Sequence, residues 1–264
     1  MISLYLLEKS QHRSTTLPDM SSLDAITRQL AEGYYSTFRT YAGCRRVIGL
    51  SVHLRRLPSV DASDLRRVLL QLLEPYRPGE ARVRVMKTKQ GEIYIAMEPL
   101  RPLPPEVYAE GVRAGTTSIQ RNNPRAKSTA FISASDEERK HLAQEGLFEA
   151  LLVKNGRILE GMTSNFFYVL DDILFTARKD ILLGVTRTMV IRAARGRGVE
   201  VRYRALKLIQ LPAMKEAFIT SSSRGIVPII QIDDMQVGQG RVGQITNELM
   251  AAYEEYVMLK AEKI

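Results

Sequence analysis

The sequence predicts an α+β protein with α/β character, built as two domains. Three observations carry that expectation. A chain of 264 residues exceeds the usual allowance of about 150 residues per domain. Apolar residues make up 45% and charged residues 25%, proportions that bury a core and exclude a disordered chain, a collagen repeat and a coiled-coil rod. Alternating and helical apolar patterns both occur, and Arg101-Pro102-Leu103-Pro104-Pro105 separates an early set from a later one, because clustered prolines stiffen a segment that no helix or inner strand is expected to include. Residues 1–103 read as a small N-terminal α/β domain and residues 104–264 as a larger C-terminal domain.

In order along the chain, Met1 to Lys9 reads as a strand, since Glu8 breaks its apolar stretch and no basic n-region marks it as a signal peptide. Ser10 to Ser22 is polar and poorly periodic. Thr37 to Tyr41 and Val47 to Leu50 read as a hairpin around Ala42-Gly43. Asp61 to Leu73 carries Leu65, Val68, Leu69 and Leu72 on one helical face, opened by Asp61 or Ser63 and closed at Pro75. Ala81 to Thr88 and Ile93 to Leu100 form a second hairpin, giving an antiparallel sheet with helices on one side. Beyond the prolines come a strand from Gly111 to Ile119, a helix from Asp136 to Gln144 stopped by Gly146, and a strand from Leu147 to Lys154. Asn155-Gly156 is a strong hairpin signal. Short strands follow at Arg157 to Leu159, Ser164 to Leu170 and Ile173 to Ala177, then a helix from about Thr186 to Arg195 and a strand from Val199 to Tyr203. A final helix from Val242 to Leu259 presents Ile245, Leu249, Ala252, Tyr253 and Tyr256 on one face.

Composition bounds the chemistry. Cys44 is the only cysteine, so an intrachain disulfide framework and a cysteine zinc cluster are excluded, and a reducing, cytoplasmic setting is expected. His12, His53 and His141 are too scattered for a metal triad. No window reaches the roughly 18 apolar residues of a membrane span. The formal charge of +9 suits anionic ligands without specifying nucleic acid, and the arginines are not interleaved with aromatics as a single-strand platform needs. Walker, dinucleotide, Gly-x-Ser-x-Gly and zinc spacings are absent.

The run from Glu149 to Phe167, with Glu160-Gly161-Met162-Thr163-Ser164-Asn165 at its centre, resembles the signature of the class IV aminotransferases, the fold-type IV pyridoxal-phosphate (PLP) enzymes. Branched-chain transaminases, D-amino-acid transaminases and 4-amino-4-deoxychorismate lyases belong to that family. The resemblance extends from about Thr37 to Tyr253, with further motifs in the same order. It implies a small sandwich-like domain, a larger domain with a mixed, barrel-like sheet, and the cofactor at the domain interface.

Site roles follow from the resemblance. Lys127, in Pro124-Arg125-Ala126-Lys127-Ser128, matches the catalytic lysine that carries the cofactor covalently and moves the substrate proton. Arg56, in His53-Leu54-Arg55-Arg56-Leu57, matches the arginine that grips the cofactor phosphate. Val185 and Thr186, within Gly184-Val185-Thr186-Arg187, match the helix start that supplies backbone N–H groups to the same phosphate, and Ser222 and Ser223 match a later loop that completes the cup. A guanidinium, a helix start and small hydroxyls suit a dianion on physical grounds as well. Glu160 matches the carboxylate facing the pyridine nitrogen, and Leu182 the apolar residue against the ring. Taken singly, Arg56 reads as a solvated charge, Thr186 as a helix cap, the serines as a polar loop, and Leu182 as core.

Departures from the family fall where substrate choice is made. Ile132 stands where branched-chain enzymes place a tyrosine near the cofactor's phenolic oxygen. Gly33-Tyr34-Tyr35-Ser36 resembles a Gly-Val-Phe-Glu block that has lost its carboxylate, leaving Tyr34, Tyr35 and Arg39 as substrate-pocket candidates. The strands from Ala81 to Leu100 lack the Arg-x-His trap of D-amino-acid transaminases. The resemblance therefore implies a PLP-dependent transaminase acting on a small apolar or branched-chain amino acid and a 2-oxo acid by ping-pong kinetics, in a homodimer with shared active sites. Aminodeoxychorismate lyase activity is the runner-up. A catalytically silent relative with a basic binding surface is the third reading, disfavoured because Lys127, Glu160, Arg56 and Thr186 are all present.

Overall fold

The computed structural model describes residues 1–8 and 11–264. β1 (Ser3–Glu8) and β2 (Gln11–Thr15) pair antiparallel, and Ser22 then caps α1 (Leu23–Gln29), its hydroxyl accepting the Ala25 N–H at 3.0 Å. β3 (Gly33–Arg39), β4 (Arg46–Val47), α2 (Leu50–Arg55) and α3 (Ala62–Leu72) follow. Asp61 caps α3 by accepting the N–H groups of Ser63 and Asp64. β5 (Ala81–Thr88) and β6 (Ile93–Pro99) form the expected hairpin. α4 (Pro105–Glu110) and β7 (Val112–Thr117) lead to α5 (Ala130–Ala134) and α6 (Asp136–Gln144). β8 (Glu149–Lys154), β9 (Arg157–Gly161), β10 (Asn165–Leu170) and β11 (Ile173–Thr176) then precede α7 (Val185–Gly196). β12 (Val201–Tyr203), β13 (Leu206–Lys207), β14 (Glu216–Ser221), β15 (Gly225–Ile232) and β16 (Met235–Gln236) are succeeded by α8 (Gln244–Lys260) and β17 (Glu262–Lys263).

These elements form two compact units. The first takes Met1–Arg101, Ala126–Ala134 and Leu259–Ile264, and the second takes Pro102–Arg125 and Ser135–Met258. The strand order of the first unit's antiparallel sheet is β2-β1-β6-β5-β3. Alternation sends Phe38, Val83, Val85, Ile95 and Met97 to one face, against Leu54 of α2 and Leu65, Val68, Leu69 and Leu72 of α3. Leu4, Tyr35, Met86 and Ala96 occupy the other face with Leu23 and Ile26 of α1 and Ile132 of α5. The sheet is thus covered by helices on both faces, not on the single side expected, because α1 falls in a stretch whose apolar positions are few.

Other expectations change for identifiable reasons. The strand expected at Val47–Leu50 shrinks to Arg46–Val47, since Gly49 at φ 63 reverses the chain and Leu50 begins α2, burying Leu50 and Leu54. Ala42-Gly43 does turn the chain, but only one bridge, Tyr41 to Arg46, closes it, and β3 takes its ladder from β5. The Ser10–Ser22 stretch contains β2, which is polar because it is an outer strand exposed along most of its length; Ser10 itself lies outside the described residues. Pro105 is helical after all, as the first residue of α4, where a missing N–H costs nothing.

The second unit is a mixed ten-stranded sheet, curled as a half-barrel, ordered β12-β11-β10-β14-β15-β7-β8-β9-β13 with β16 beside β15. Its core packs Phe166, Tyr168, Ala217, Ile219, Val227 and Ile229. Asn155 at φ 50 and Gly156 at φ 66 make the tight turn from β8 to β9 that the sequence predicts. That turn feeds Glu160 into β9, one strand in from the β13 end of the sheet, opposite Leu152 of β8. Glu160 lies inside β9, not just beyond the strand as expected, and this places its carboxylate among buried neighbours.

Candidate active site

In the first unit, Lys127 sits on a segment laid against the start of β3. The Tyr35 N–H donates to Lys127 O at 3.0 Å, the Thr129 N–H to Gly33 O at 3.0 Å, and the Gly33 N–H to Thr129 Oγ1 at 2.9 Å. These bonds fix the backbone on either side of the lysine. Its Nζ lies 4.7 Å from the centre of the Tyr35 ring, and the Arg84 guanidinium carbon lies 4.8 Å from the same ring. Arg84 is itself held by Asp24 Oδ1 at 2.7 Å and Thr37 Oγ1 at 3.0 Å, so the ring's setting is rigid.

Arg56 closes α2 and is half-buried, and burial lowers its guanidinium from the usual value while leaving it cationic. His53, three residues earlier, is completely buried, with Nδ1 2.8 Å from Ser36 Oγ. Burial, reinforced by the charges of Arg56 and Lys127, pushes this imidazole well below its ordinary range and keeps it neutral. The first unit therefore brings Arg56, His53 and Lys127 into one electrostatic neighbourhood. Ser36 is a partner of that histidine.

A pH effect follows with a definite sign. The unfolded chain takes up a proton at His53 below about pH 6.5, the folded chain only at lower pH, so folding stability falls as pH drops through that window. Urea unfolding at pH 7.5 and 5.5 is expected to show a loss at the lower pH that shrinks in His53→Gln; an equal loss in both proteins would assign the slope to other groups.

The pocket candidates are dispersed. Successive side chains of β3 point to opposite faces, so Tyr34, 36% exposed, and Tyr35, 7% exposed, do not share a wall. Arg39 stands four residues from Tyr35, about 13 Å along the strand, with its guanidinium 4.7 Å from the Tyr41 ring. Ile132 is core in α5, consistent with no polar role there.

The second unit holds the remaining candidates. Glu160 is 1% exposed. Its Oε1 accepts Arg121 Nε at 3.0 Å, while Oε2 accepts the Leu182 N–H at 3.0 Å and Asn165 Nδ2 at 3.2 Å. Arg121 also donates to Met162 O at 2.6 Å. Asn165 extends this network, donating to Leu182 O at 2.7 Å and accepting the Gly184 N–H at 3.1 Å. A side chain at Gly184 would collide with Asn165 Oδ1, so glycine is what lets α7 begin against the Glu160 network. Leu182 takes part through its backbone.

Gly184 offers no side-chain cap to α7, whose opening residues Val185 and Thr186 are buried. Thr186 Oγ1 lies 3.5 Å from Ser222 Oγ, and Ser223 is next in the same turn. The neighbouring Thr220 Oγ1 is buried with no hydrogen-bond partner among the described residues. Arg224 holds the turn, donating to Ser221 Oγ at 3.0 Å, Thr163 Oγ1 at 2.6 Å and the buried Glu149 carboxylate at 3.2 Å. An uncapped helix start beside small hydroxyls fits an anionic phosphate. Among the described residues no cluster of metal-ligating side chains occurs, and no helix is long and apolar enough to cross a membrane.

Sequence reasoning missed His53, Ser36, Arg121, Asn165 and Arg224 as supporting residues. Asn165, His53 and Ser36 lie within the quoted Glu149–Phe167, His53–Leu57 and Gly33–Ser36 runs, which is signal enough to notice them; Arg121 and Arg224 declare themselves only through three-dimensional partners.

The amino-transferase class IV family profile matches residues 38–232. A protein assigned as a branched-chain-amino-acid aminotransferase of Methanocaldococcus jannaschii is 28% identical over 85% of this chain and 86% of its own length. The aminodeoxychorismate lyase of Bacillus subtilis (strain 168) is likewise 28% identical, over 85% of each chain. Among solved structures, an aminotransferase from Brucella abortus bound to the cofactor PLP matches with a TM-score of 0.78 and 21% identity, over 97% of this chain and 99% of that one. The last likeness shows the fold, and the profile, spanning most of the chain, shows the kinship: this chain belongs to the class IV aminotransferase family.

Proposed function

We propose that the chain is a pyridoxal-phosphate-dependent aminotransferase that moves an amino group from a small apolar, branched-chain amino acid to a 2-oxo acid, as a homodimer. The carrying observation is the first unit's grouping of Lys127, Arg56 and the buried neutral His53, with the lysine amine held over the Tyr35 ring. Bound PLP supplies an electron sink for the substrate Cα carbanion. Lys127 would hold it covalently, and its Nζ would hold and return the Cα proton. Arg56 in the first unit, and in the second the N–H groups of Val185 and Thr186 with the hydroxyls of Thr186, Ser222 and Ser223, each offer groups suited to a phosphate. Glu160 keeps the ring nitrogen protonated, oriented by Arg121 and Asn165. Leu182 packs against the ring. Tyr34, Tyr35 and Arg39 shape substrate access within one subunit or toward its neighbour.

A lyase reading is retained because the Bacillus lyase and the Methanocaldococcus protein match this chain at the same identity, 28%. Both readings meet in one assay. Purified protein is expected to be yellow and to convert branched-chain donors only when a 2-oxo acid is supplied. Pyruvate release from aminodeoxychorismate without any acceptor would select the lyase instead.

A further inference from the structure

Helix α2, whose C-cap is Arg56, has no side-chain cap at its start, because Gly49 there, in the left-handed region at φ 63, carries no side chain to supply one. Its first-turn donor is met from the far end of the chain. The Ser51 N–H donates to Glu262 Oε2 at 3.2 Å and Oε1 at 3.3 Å, and the Ser51 hydroxyl donates to Oε2 at 2.5 Å. From α3, Arg66 Nη2 donates to Glu262 Oε2 at 2.8 Å and Ser51 Oγ at 2.9 Å, and Nη1 to Lys263 O at 2.7 Å. The carboxylate is placed by the ladder of β17 on β4, with Glu262 opposite Val47, by Arg46 Nη1 on Ala261 O at 3.3 Å, and by the Ile264 N–H on Arg45 O at 3.1 Å. Beyond the helix exit, Lys87 Nζ donates to Pro58 O at 2.7 Å and Ser59 O at 3.0 Å. α2 is therefore held at both ends, with His53 buried between them.

A carboxylate suits this place because the unpaired N–H groups of a helix start carry the positive end of the peptide dipoles. Burial works to raise the Glu262 carboxyl, but the bonds from Ser51 and Arg66 outweigh it and hold the group below the usual carboxylate range. We propose that Glu262 is a positioning residue for Arg56: by anchoring the start of α2 it sets where the guanidinium meets an anionic ester, the phosphate of PLP under the function proposed above, on which this inference rests. A carboxylate that only stabilised the fold would act on all ligands alike.

The discriminating measurement is the affinity of the full chain for PLP and for pyridoxal, which share the aldehyde and ring but differ in the phosphate. Glu262→Gln is expected to weaken PLP about two- to fivefold, the scale of one charge at a helix start, and to leave pyridoxal unchanged. Arg66→Gln, which removes one support of the same carboxylate, is expected to shift PLP in the same direction and keeps the test open if Glu262→Gln lowers the unfolding midpoint. Equal weakening of both ligands, or an unchanged ratio in both variants, overturns the proposal. A wild-type chain with no preference for PLP over pyridoxal would defeat the phosphate role of Arg56 and this inference together; a wild-type preference that survives both substitutions would defeat the inference alone.

Discussion

Lys127→Ala is expected to lower transamination more than about a thousandfold, because it removes both the anchoring amine and the proton carrier. Folding is expected to survive. The local backbone bonds run through Lys127 O and its neighbours Gly33, Tyr35 and Thr129, none of which needs the side chain. Lys127→Arg sharpens the result, since it keeps a cation near the Tyr35 ring yet offers no amine that can be neutral near pH 7. It too is expected to be inactive, with a urea midpoint close to wild type. Borohydride reduction of wild-type holoprotein followed by peptide mapping should place the label on Lys127. Turnover near the wild-type rate in either variant would remove the lysine from the mechanism.

Arg121→Met is expected to destabilise the fold by about 3–5 kcal/mol, the cost of leaving a buried carboxylate without its counter-charge. The side chains of Arg121 and Glu160 are only 6% and 2% exposed, so water cannot replace the lost partner. The double variant Arg121→Met with Glu160→Gln is expected to recover much of that loss, since the amide put in place of the carboxylate is neutral while Asn165 and the Leu182 N–H stay where they are. Chemical denaturation of the single and double variants measures this directly. A loss below about 1 kcal/mol for Arg121→Met would mean that the pair is well solvated in practice.

Local chemistry is legible where a residue and its reason lie close in sequence. Asp61 capping α3, the Asn155-Gly156 turn and the β5–β6 hairpin are such cases, each decided within a few residues. α1 escapes notice because Leu23 and Ile26 make a short stripe whose burial depends on Met86 and Ala96, far along the chain. The start of α2 reads as strand because Val47 to Leu50 are compatible with either state, and only the left-handed Gly49 separates them. For the candidate site, motif order points to Lys127, Arg56, Glu160 and Thr186. It does not show that Glu160 is clasped by Arg121 from 39 positions earlier, or that Ser36 meets His53, since alternation along a strand says which face a side chain takes and not what waits there.

The first unit recruits Ala126–Ala134 and Leu259–Ile264 from deep inside and from the far end of the chain. A ribosome delivering this polypeptide would therefore have made the whole of the intervening second unit before β4 could find β17, a closure spanning 215 positions at Arg46 and Ala261. Early-emerging segments must wait in an incomplete state, and refolding after denaturant dilution is expected to be governed by this late, long-distance closure more than by the local hairpins.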